Sequence, residues 1–550
     1  MNGFCLSHLP IVKDYASRMG FVETIDDALE CRMSLSPGTV VLGLVMNVLC
    51  GRFPLYRVEE FYSMRDVETL LGDGIGASAL NDDAIGRVLD RIHAYGTWKL
   101  FSGISLRTFR SFEVDTSIIH QDTTSASVWG EYRHPEKGAV RIVYGHSKDK
   151  RPDLKQFIYS LLCVEGNLPM HAGILDGNAS DKKTNGRIVA ELPRIMELYG
   201  RKDFIYVADS ALATRENLDL MKGMKFITRL PENFSACSRL IGKGGTWQDI
   251  GRLSHRKVGG KDICACYRIR EESVDLYGER YRCVVVHSDV HDKRRQKRID
   301  KLFHEDRISL SERIKEIGSR EFYCMPDALK TVESFQDGAY HHTSLFIEEH
   351  PVYGRGRPRK DGIRSMKELR YRIQAQISED AEAILRLREE AGCFVLLTSV
   401  PEHEMSGLTV LRTYKEQDGI EKNFGFLKDP LIVNDVFLKK PHRIEAMGFV
   451  LILSLLLWRL MERTMRKSVQ EKNTTLKGWN NRDTSKPTSV MMASKFSSVF
   501  VGVSNGKRFL FTPLDKVQLD YLHALNVHPD VFTHSTTKPA CVSSCPAAAP

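Results

Sequence analysis

The sequence has little cysteine, and its cysteines are not spaced for a disulfide framework or a structural zinc site. Only 12 cysteines are spread over 550 residues, whereas small disulfide-stabilised domains carry many cysteines in a short chain. The close pairs, Cys264 with Cys266 and Cys541 with Cys545, have no second pair at zinc-finger spacing. We therefore expect a protein of a reducing, cytoplasmic compartment that holds no structural zinc.

Long hydrophobic runs and targeting patterns are also missing. The candidate membrane segment, Gly448 to Trp458 (GFVLILSLLLW), has eleven residues, whereas a helix needs about 20 to cross a bilayer. The first residues, MNGFCLSHLP, lack the basic and then apolar order of a signal peptide. We expect the apolar run to form a buried core helix and the protein to have no membrane partner. No repeat with a period of about 20 to 50 residues is visible, which argues against a solenoid or propeller.

The composition is that of a globular protein with several domains. Hydrophobic residues make up 42% of the chain, enough to fill two to four cores at this length. The formal net charge of +9, from 79 Lys plus Arg against 70 Asp plus Glu, fits a polyanionic partner but also a plain basic enzyme.

Hydrophobic periodicity predicts helices first and an α/β sheet afterwards. In the first 110 residues, Val40 to Leu49 is apolar, and Asn81 is placed to cap a helix with the apolar stripe Ile85, Val88, Leu89 and Ile92. From Ser111 onwards, strands are predicted at 117–122, 157–164, 168–175, 203–209 and 224–230, with helices at 186–199 and 214–221. Strand, helix, strand alternation indicates an α/β sheet.

Residues 231–390 interrupt this alternation and are predicted to be an insertion. They contain basic helical stretches, including Lys293, Arg294, Arg295, Lys297 and Arg298. An apolar strand resumes at Cys393, and a helix through Glu421 should end at Pro430. The predicted ranges are a helical N-terminal domain (1–110), an interrupted catalytic domain (111–230 and 391–467), the insertion (231–390), and a linker, small module and disordered tail (468–550). In that module, Thr512 and Pro513 fit the N-cap and first position of a helix.

Two acids follow apolar strands of the predicted sheet. Asp122 is placed at the end of one strand and is followed by Thr123, while Asp209 ends another. A single Asp at such a place is ordinarily a turn cap, but adjacent parallel strands bring their ends together. Carboxylates are the ligands that Mg²⁺ or Mn²⁺ prefers, and two ions roughly 3.5 to 4 Å apart can stabilise both the attacking and the leaving oxygen of a phosphodiester.

The segment YKEQDGIEKNFGFLK supplies a third acid. In a continuous helix, Tyr414, Gln417, Glu421 and Lys428 fall within an arc of roughly 60°. An aromatic hydroxyl, an amide, an acid and a cation on one face suit a phosphodiester and its metal. The alternative is an ordinary solvated amphipathic helix. Gly419 and Gly425 count against the helix, since each costs about 1 kcal/mol relative to Ala.

These motifs together resemble the DDE transposases of bacterial and archaeal insertion sequences, in the branch with a Y-(2)-R-(3)-E-(6)-K signature. The same resemblance extends to the DTT segment at 122–124, to the ADS segment around Asp209 and to GHSKDKRPDLKQ at 145–156. It covers most of residues 110–465. This chain departs from the signature at Gln417, where the branch has an arginine with a permanent charge and a bidentate phosphate grip.

The resemblance implies an α/β ribonuclease H-like core, interrupted by a β-rich insertion, with the acids on the first strand, the fourth strand and a late helix. It implies that Asp122, Asp209 and Glu421 are the catalytic residues and hold two Mg²⁺ or Mn²⁺ ions. Tyr414, Gln417 and Lys428 would contact DNA phosphates, and Thr123 would support the first ligand as a hydrogen-bond donor. The implied partners are double-stranded DNA, as terminal inverted repeats and target, and a second copy of the chain on paired ends. The implied location is the prokaryotic cytoplasm, at the nucleoid during action.

The expected function is metal-dependent strand cleavage and strand transfer in cut-and-paste transposition. Two alternatives stay open: a nuclease of the same fold that does not join strands, and a catalytically silent DNA-binding descendant. The helical N-terminal region is the candidate reader of terminal repeats. Arg355 to Pro358 is similar to an AT-hook core but also suits a surface turn, and the basic run at 293–298 is either a DNA-backbone contact or a solvated face.

Overall fold

The computed structural model describes residues 2–30, 33–132, 138–258, 261–289, 293–354, 366–429, 438 and 440–534. The AT-hook-like segment, Pro430, the Cys541 and Cys545 pair and the C-terminal tail lie outside these residues. The chain divides into two compact units. The first unit comprises Met1–Thr228 and Thr413–Pro550, and the second comprises Arg229–Arg412.

The strands are numbered in chain order. Within the described residues they are β1 (Asn2–Cys5), β2 (Ile118–Val128), β3 (Lys155–Val164), β4 (Leu168–Leu175), β5 (Ile205–Ala208), β6 (Lys225–Arg229), β7 (Gln248–Val258), β8 (Lys261–Leu276), β9 (Glu279–Ser288), β10 (His341–Tyr353), β11 (Met366–Glu379), β12 (Cys393–Thr398), β13 (Leu476–Lys477), β14 (Asp483–Thr484), β15 (Phe500–Ser504) and β16 (Lys507–Leu510).

The α-helices are numbered in the same way. Over the same residues they are α1 (Leu9–Arg18), α2 (Phe21–Ala28), α3 (Pro37–Met46), α4 (Val58–Ser63), α5 (Val67–Leu71), α6 (Asp82–Tyr95), α7 (Thr97–Ser111), α8 (Asp181–Leu198), α9 (Arg215–Leu220), α10 (Ser235–Gly242), α11 (Lys293–Gly318), α12 (Met325–Glu333), α13 (Ala381–Gly392), α14 (Gly407–Lys415), α15 (Asp418–Leu427), α16 (Pro441–Glu471), α17 (Ser489–Lys495) and α18 (Lys516–Leu525).

The first unit contains a mixed sheet in which the strand order is β4-β3-β2-β5-β6. Strands β2, β3 and β4 form an antiparallel meander. After α8, β5 returns parallel to β2, and β6 adds parallel to β5. The predicted strands at 157–164 and 168–175 are confirmed, as is the alternation of strands with α8 and α9.

The helical N-terminal region is also confirmed. Asn81 caps α6 by accepting a hydrogen bond from the Ala84 amide, and the predicted apolar stripe of this helix is buried. The apolar stretch at 40–49 forms α3 and continues into a π-helical turn at Asn47–Gly51. Helix α7 then packs against β4 of the sheet.

The predicted core helix is the centre of the long helix α16. This helix is long and apolar enough to cross a bilayer, but 89% of its most apolar window is buried inside the protein. The bent pair Pro37–Gly51 and Leu55–Ser63 passes the same test of length and composition when the two helices are taken together. Because α16 packs against β4, α6 and α18, it forms the hydrophobic centre of the first unit.

The C-terminal residues belong to the first unit, and their strand β15 pairs with β1 at the start of that unit. Strand β15 lies between β1 and β16, with Asn2 to Cys5 antiparallel to Phe500 to Val503. The sequence predicted only helices near residue 2. The predicted cap at Thr512 and Pro513 is wrong: Asp515 caps α18, because its side chain accepts from the Gln518 amide while the Gln518 side chain accepts from the Asp515 amide.

The second unit is rich in antiparallel strands, as the family resemblance implied. Its strand order is β12-β9-β8-β7, and β10 and β11 form a separate hairpin. The predicted strand at Cys393 is β12, and it pairs with β9 inside this unit. The unit therefore extends to Arg412, beyond the insertion boundary at 390, and the five domain ranges stay predictions. The basic run starts α11, where Lys297 and Arg298 are exposed.

Candidate active site

Asp122 lies inside β2, where the neighbouring strand β5 has already ended. Pairing of β2 with β5 stops at His120 opposite Val207, whereas β2 continues to pair with β3 as far as Val128. The prediction that Asp122 ends its strand is wrong, because the small and hydroxyl side chains after it are buried and keep the strand paired. The parallel partner is nevertheless absent beside Asp122, so its carboxylate lies at an open edge of the sheet.

Asp209 comes directly after β5, and the register places it beside Asp122. Each acid follows the paired residues His120 and Val207 by two positions. Asp209 caps a short 3₁₀ turn: its Oδ1 accepts from the Ala211 amide at 3.0 Å and from Asn185 Nδ2 at 3.4 Å. The side chain thus has the turn-cap role common for a strand-terminal Asp, and it also lies next to a second acid.

The two carboxylates are partly buried, and the pKa of each is raised. Burial raises the pKa of Asp122 to about 6, against the lowering effects of Lys148 and the Thr123 amide, and Asp209 and Asp181 raise it further. Burial also raises the pKa of Asp209, with Asp181 adding to the shift. A site that disfavours its own negative charge in this way would be stabilised by a bound cation.

A hydrogen-bond network joins the acids to α8 and to the GHSKDKRPDLKQ segment. The Thr123 hydroxyl donates to Asp181 Oδ1 at 2.7 Å, and Lys148 Nζ donates to the Thr123 carbonyl at 2.7 Å and its hydroxyl oxygen at 2.9 Å. Lys148 also lies 3.5 Å from Asp181 Oδ2. Thr123 supports Asp122 through its backbone amide, at 2.7 Å from Oδ1, while its hydroxyl serves Asp181.

Sequence reasoning did not identify Asp181, Asn185 or Lys148 as site residues. Asp181 and Asn185 are one helical turn apart at the start of α8, a spacing that places both on one face of the helix. Lys148 lies within the segment that carried the family resemblance. These two signals were available in the sequence, but neither indicates which acids the side chains would meet.

Helix α15 carries Glu421 and is held against β2 by Gln417. Gln417 Nε2 donates to the carbonyl of Gln121, the residue before Asp122, at 3.1 Å. Glu421 is exposed, and it is not among the charges that shift the pKa of either aspartate. In the part of the chain that the structure describes, no three His, Cys, Asp or Glu side chains converge as a metal-binding group. The structure therefore brings Asp122 and Asp209 together but does not bring Glu421 to them.

The continuous helix predicted through Tyr414 and Lys428 is interrupted. Helix α14 ends at Lys415 and α15 begins at Asp418. Between them, the amides of Gln417 and Gly419 bond to carbonyls three residues earlier, those of Tyr414 and Glu416. This 3₁₀ pattern turns the chain faster than an α-helix, so the predicted 60° arc is wrong. Lys428 caps the end of α15 and forms an ion pair with Asp149, with Nζ 2.6 Å from Oδ1.

The paired aspartates fit a hard divalent cation, as the family resemblance requires. Among the described residues, each carboxylate accepts hydrogen bonds only on Oδ1, so its Oδ2 is available to a ligand. Mg²⁺ is commonly held by one or two carboxylates and completes its shell with waters and substrate phosphates. Asp122 and Asp209 fit such a site, and Glu421 lies outside it in this conformation.

Comparison with known proteins gives a family for most of the chain. A family model described as a transposase DDE domain matches residues 131–457, and one described as a domain of unknown function matches residues 4–106. The match to the transposase DDE domain includes Asp209 and Glu421 and begins after Asp122. No curated protein matches the chain.

A matching solved structure is a cryo-EM structure of a piggyBac transposase synaptic complex with hairpin DNA. The identity is 10% and the TM-score 0.27, and the match covers 52% of this chain and 61% of the other. The chain thus spans less than two thirds of that relative, and a likeness at this score adds nothing on function. The family model covers more than half of the chain, and the chain therefore belongs to the transposase DDE domain family.

Proposed function

We propose that the protein is a DNA transposase that cleaves strands at the ends of an insertion sequence and joins them to target DNA in cut-and-paste transposition. The observation that carries the proposal is the juxtaposition of Asp122 and Asp209 at one sheet edge, in a chain of the transposase DDE domain family. In chain order, Asp122 lies on β2, the first strand of this sheet, and Asp209 directly follows β5, the fourth. Together with the spatial order β4-β3-β2-β5-β6, this placement supports a ribonuclease H-like core.

Asp122 and Asp209 would hold Mg²⁺ or Mn²⁺, and Glu421 is proposed as the third ligand of a two-ion site. A bound divalent ion supplies Lewis-acid polarisation of the phosphodiester and lowers the pKa of bound water. The support for Glu421 is its place on α15. Gln417, the residue before this helix, is hydrogen-bonded to the carbonyl of Gln121, next to Asp122. The family match also spans Glu421.

The surrounding residues orient these acids. The Thr123 amide holds Asp122 Oδ1, and the Ala211 amide and Asn185 hold Asp209 Oδ1. These hydrogen bonds fix the orientation of each carboxylate and therefore the position of its other oxygen, Oδ2. The Gln417 side chain is hydrogen-bonded to a backbone carbonyl of β2. An arginine at this position would instead bind a phosphate through two hydrogen bonds. The proposed DNA-phosphate contacts are Tyr414, Gln417 and Lys428. Lys428 forms an ion pair with Asp149, which it would give up on binding a phosphate.

The proposed partners are double-stranded DNA, as terminal inverted repeats and target, and a second copy of the chain on paired ends. The proposed location is the prokaryotic cytoplasm at the nucleoid. Support comes from the family, whose reaction needs two DNA ends, and from the net charge of +9, which favours a polyanion.

A cleavage assay with matched variants tests the proposal. The substrate is a plasmid carrying the DNA that flanks the reading frame, with Mg²⁺ or with chelator. Asp122→Asn, Asp209→Asn and Glu421→Gln should each abolish Mg²⁺-dependent cleavage. The controls are Asp203→Asn, an 80% exposed acid before β5, and Asp418→Asn, an exposed acid on α15; both should cleave as the wild type does. Cleavage retained by Asp209→Asn would overturn the proposal.

Strand transfer separates the transposase from a nuclease of the same fold. Pre-cleaved ends with free 3′-hydroxyls are incubated with a circular target. A transposase joins them to the target in the presence of Mg²⁺, and joining requires the same three acids. Cleavage without any joined product would identify a nuclease instead.

A further inference from the structure

An exposed group of aromatic and basic side chains lies at the far end of the hairpin that carries Asp122. We call it the aromatic patch and define it as Trp129, Tyr144, Arg151 and Lys155. Trp129 is 64% exposed and Tyr144 is 60% exposed. A single exposed aromatic ring is common on protein surfaces, whereas a group of exposed rings is typical of a binding surface.

A cation lies over each of the two rings. Arg151 Cζ is 5.2 Å from the centre of the Trp129 ring, and Lys155 Nζ is 5.9 Å from the centre of the Tyr144 ring. The segment 138–155 carries five Lys or Arg and two Asp, a net charge of +3. Interleaved aromatic and basic side chains bind single-stranded nucleic acids, because bases stack on the rings while cations meet the phosphates.

The aromatic patch is continuous with the candidate active site. Trp129 follows Val128, the last residue of β2, and Val128 pairs with Lys155 at the start of β3. A cavity is lined by Ser125, Gly145, His146, Lys148 and Asp181; Gly145 directly follows Tyr144, while Lys148 and Asp181 belong to the hydrogen-bond network beside Asp122. The Lys148 amide donates to Ser125 Oγ at 2.9 Å, which fixes the loop that joins the two sites.

The distance between the two sites is set by the strand. Asp122 and Trp129 are seven residues apart, which is about 23 Å at the rise of a β-strand. That distance corresponds to roughly seven nucleotides at the 3.4 Å rise of one DNA strand. Val128 is six residues from Asp122, so it and its cross-strand partner Lys155 lie on the face of the sheet that carries Asp122. A DNA strand that crosses this face would therefore reach Lys155 of the aromatic patch within one helical turn of the scissile phosphate.

We propose that the aromatic patch binds single-stranded DNA by base stacking and thereby holds the unpaired strand that leaves the active site. Trp129 and Tyr144 are the stacking platforms. Arg151 is paired with Asp153 at 2.7 Å, and Lys155 donates to the Tyr132 carbonyl at 3.4 Å; both cations would exchange these partners for phosphates. The assignment of this strand to the active site rests on the proposed function. The binding itself depends only on the patch, because the exposed rings and the positive charge are present without metal or cleavage.

Binding of fluorescently labelled (dT)15 in the presence of EDTA tests the proposal. Trp129→Leu and Tyr144→Leu should each raise the dissociation constant for (dT)15 by about fivefold or more, while Trp129→Phe should keep most of the affinity. Trp479→Leu, which removes another exposed tryptophan (52% exposed), should bind as the wild type does. For a blunt 15-base-pair duplex, the dissociation constant of each variant should rise by less than twofold.

Salt dependence tests the phosphate contacts. Arg151→Gln should reduce the slope of log affinity for (dT)15 against log salt by about 0.7, the value for one single-strand phosphate contact. The matched control is Arg187→Gln, whose side chain is 72% exposed, and it should leave the slope unchanged. An unchanged slope in Arg151→Gln would remove this residue from the binding surface.

The two proposals fail in different ways. Unchanged (dT)15 binding in Trp129→Leu and Tyr144→Leu, with cleavage intact, would overturn the aromatic patch and leave the transposase standing. Equal losses on (dT)15 and on the duplex would also overturn it, because stacking requires unpaired bases. A protein that binds (dT)15 through Trp129 but never cleaves DNA would overturn the proposed function alone.

Discussion

Replacement of Gly419 by Ala tests how α15 is held at the active site. A Cβ at this position would overlap the side-chain amide of Asn167, in the turn between β3 and β4. The Asn167 carbonyl is itself held by Asn423 Nδ2 at 2.9 Å, and Asn423 Oδ1 accepts from Arg459 Nε at 2.7 Å. These hydrogen bonds hold the backbone of the turn, so the Asn167 side chain would have to leave its present rotamer to make room for the new methyl group.

The magnitude follows from two opposing effects. Ala is a better helix former than Gly by about 1 kcal/mol, whereas overpacking a close contact costs about 1 to 3 kcal/mol. Gly425 lies on the same helix and is exposed, and a Cβ there meets no atom within 4 Å. Gly425→Ala should therefore stabilise the protein by up to about 1 kcal/mol. The free energies of unfolding of the two variants should differ by about 1 to 3 kcal/mol.

Urea denaturation followed by circular dichroism measures both variants. A double-mutant cycle then assigns the cost to its cause. Asn167 has a φ of +60°, which glycine adopts readily, so Asn167→Gly should be tolerated and should restore the stability of Gly419→Ala. If Gly419→Ala is as stable as Gly425→Ala, or if Asn167→Gly gives no rescue, the close contact does not constrain α15.

Three further changes have expected outcomes in the same unfolding assay. Asp515→Ala removes the capping box of α18 and should cost about 1 kcal/mol, whereas an unchanged midpoint would show the cap to be dispensable. Arg508→Met leaves the buried Asp66 carboxylate without its guanidinium partner, 2.6 Å away, and should cost about 3 kcal/mol or more; a neutral effect would contradict burial of that charge. Hydrogen bonds from Arg443 hold the pKa of Asp90 at about 2, below an unfolded value of about 3.9. Its stabilisation is present above pH 4 and is lost as the pH falls towards 2, so the stability difference between wild type and Asp90→Asn should shrink over that range, and a constant difference would refute the shift.

Local signals in the sequence predicted the elements that depend on local interactions. Asn81 caps α6 because its side chain needs only the amide of Ala84, and β4 was predicted because a mostly apolar run follows the turn after β3. The acids were found for the same reason, since each follows an apolar run. The cap of α18 was misplaced because two adjacent candidates, Thr512 and Asp515, both fit, and Gln518 decides between them.

The features that were missed depend on contacts between distant residues. Strand β1 pairs with β15, almost 500 residues away, and MNGFC gives no strand signal alone. The 3₁₀ turn before α15 occurs where Gly419 packs on Asn167. Lys148 and Asp181 come to Asp122 through the tertiary fold. The sequence could not indicate that Glu421 stands apart from both aspartates, since helix periodicity fixes a face but not its distance from a sheet.

Direct measurement of Mn²⁺ binding tests the central claim, that Asp122 and Asp209 form a divalent metal site. Free Mn²⁺ is quantified by electron paramagnetic resonance as protein is added, so the readout is independent of cleavage. The wild type and the exposed-acid control Asp203→Asn should bind Mn²⁺ equally, whereas Asp122→Asn and Asp209→Asn should each lose binding. Equal Mn²⁺ binding by Asp209→Asn and the wild type would contradict the claim.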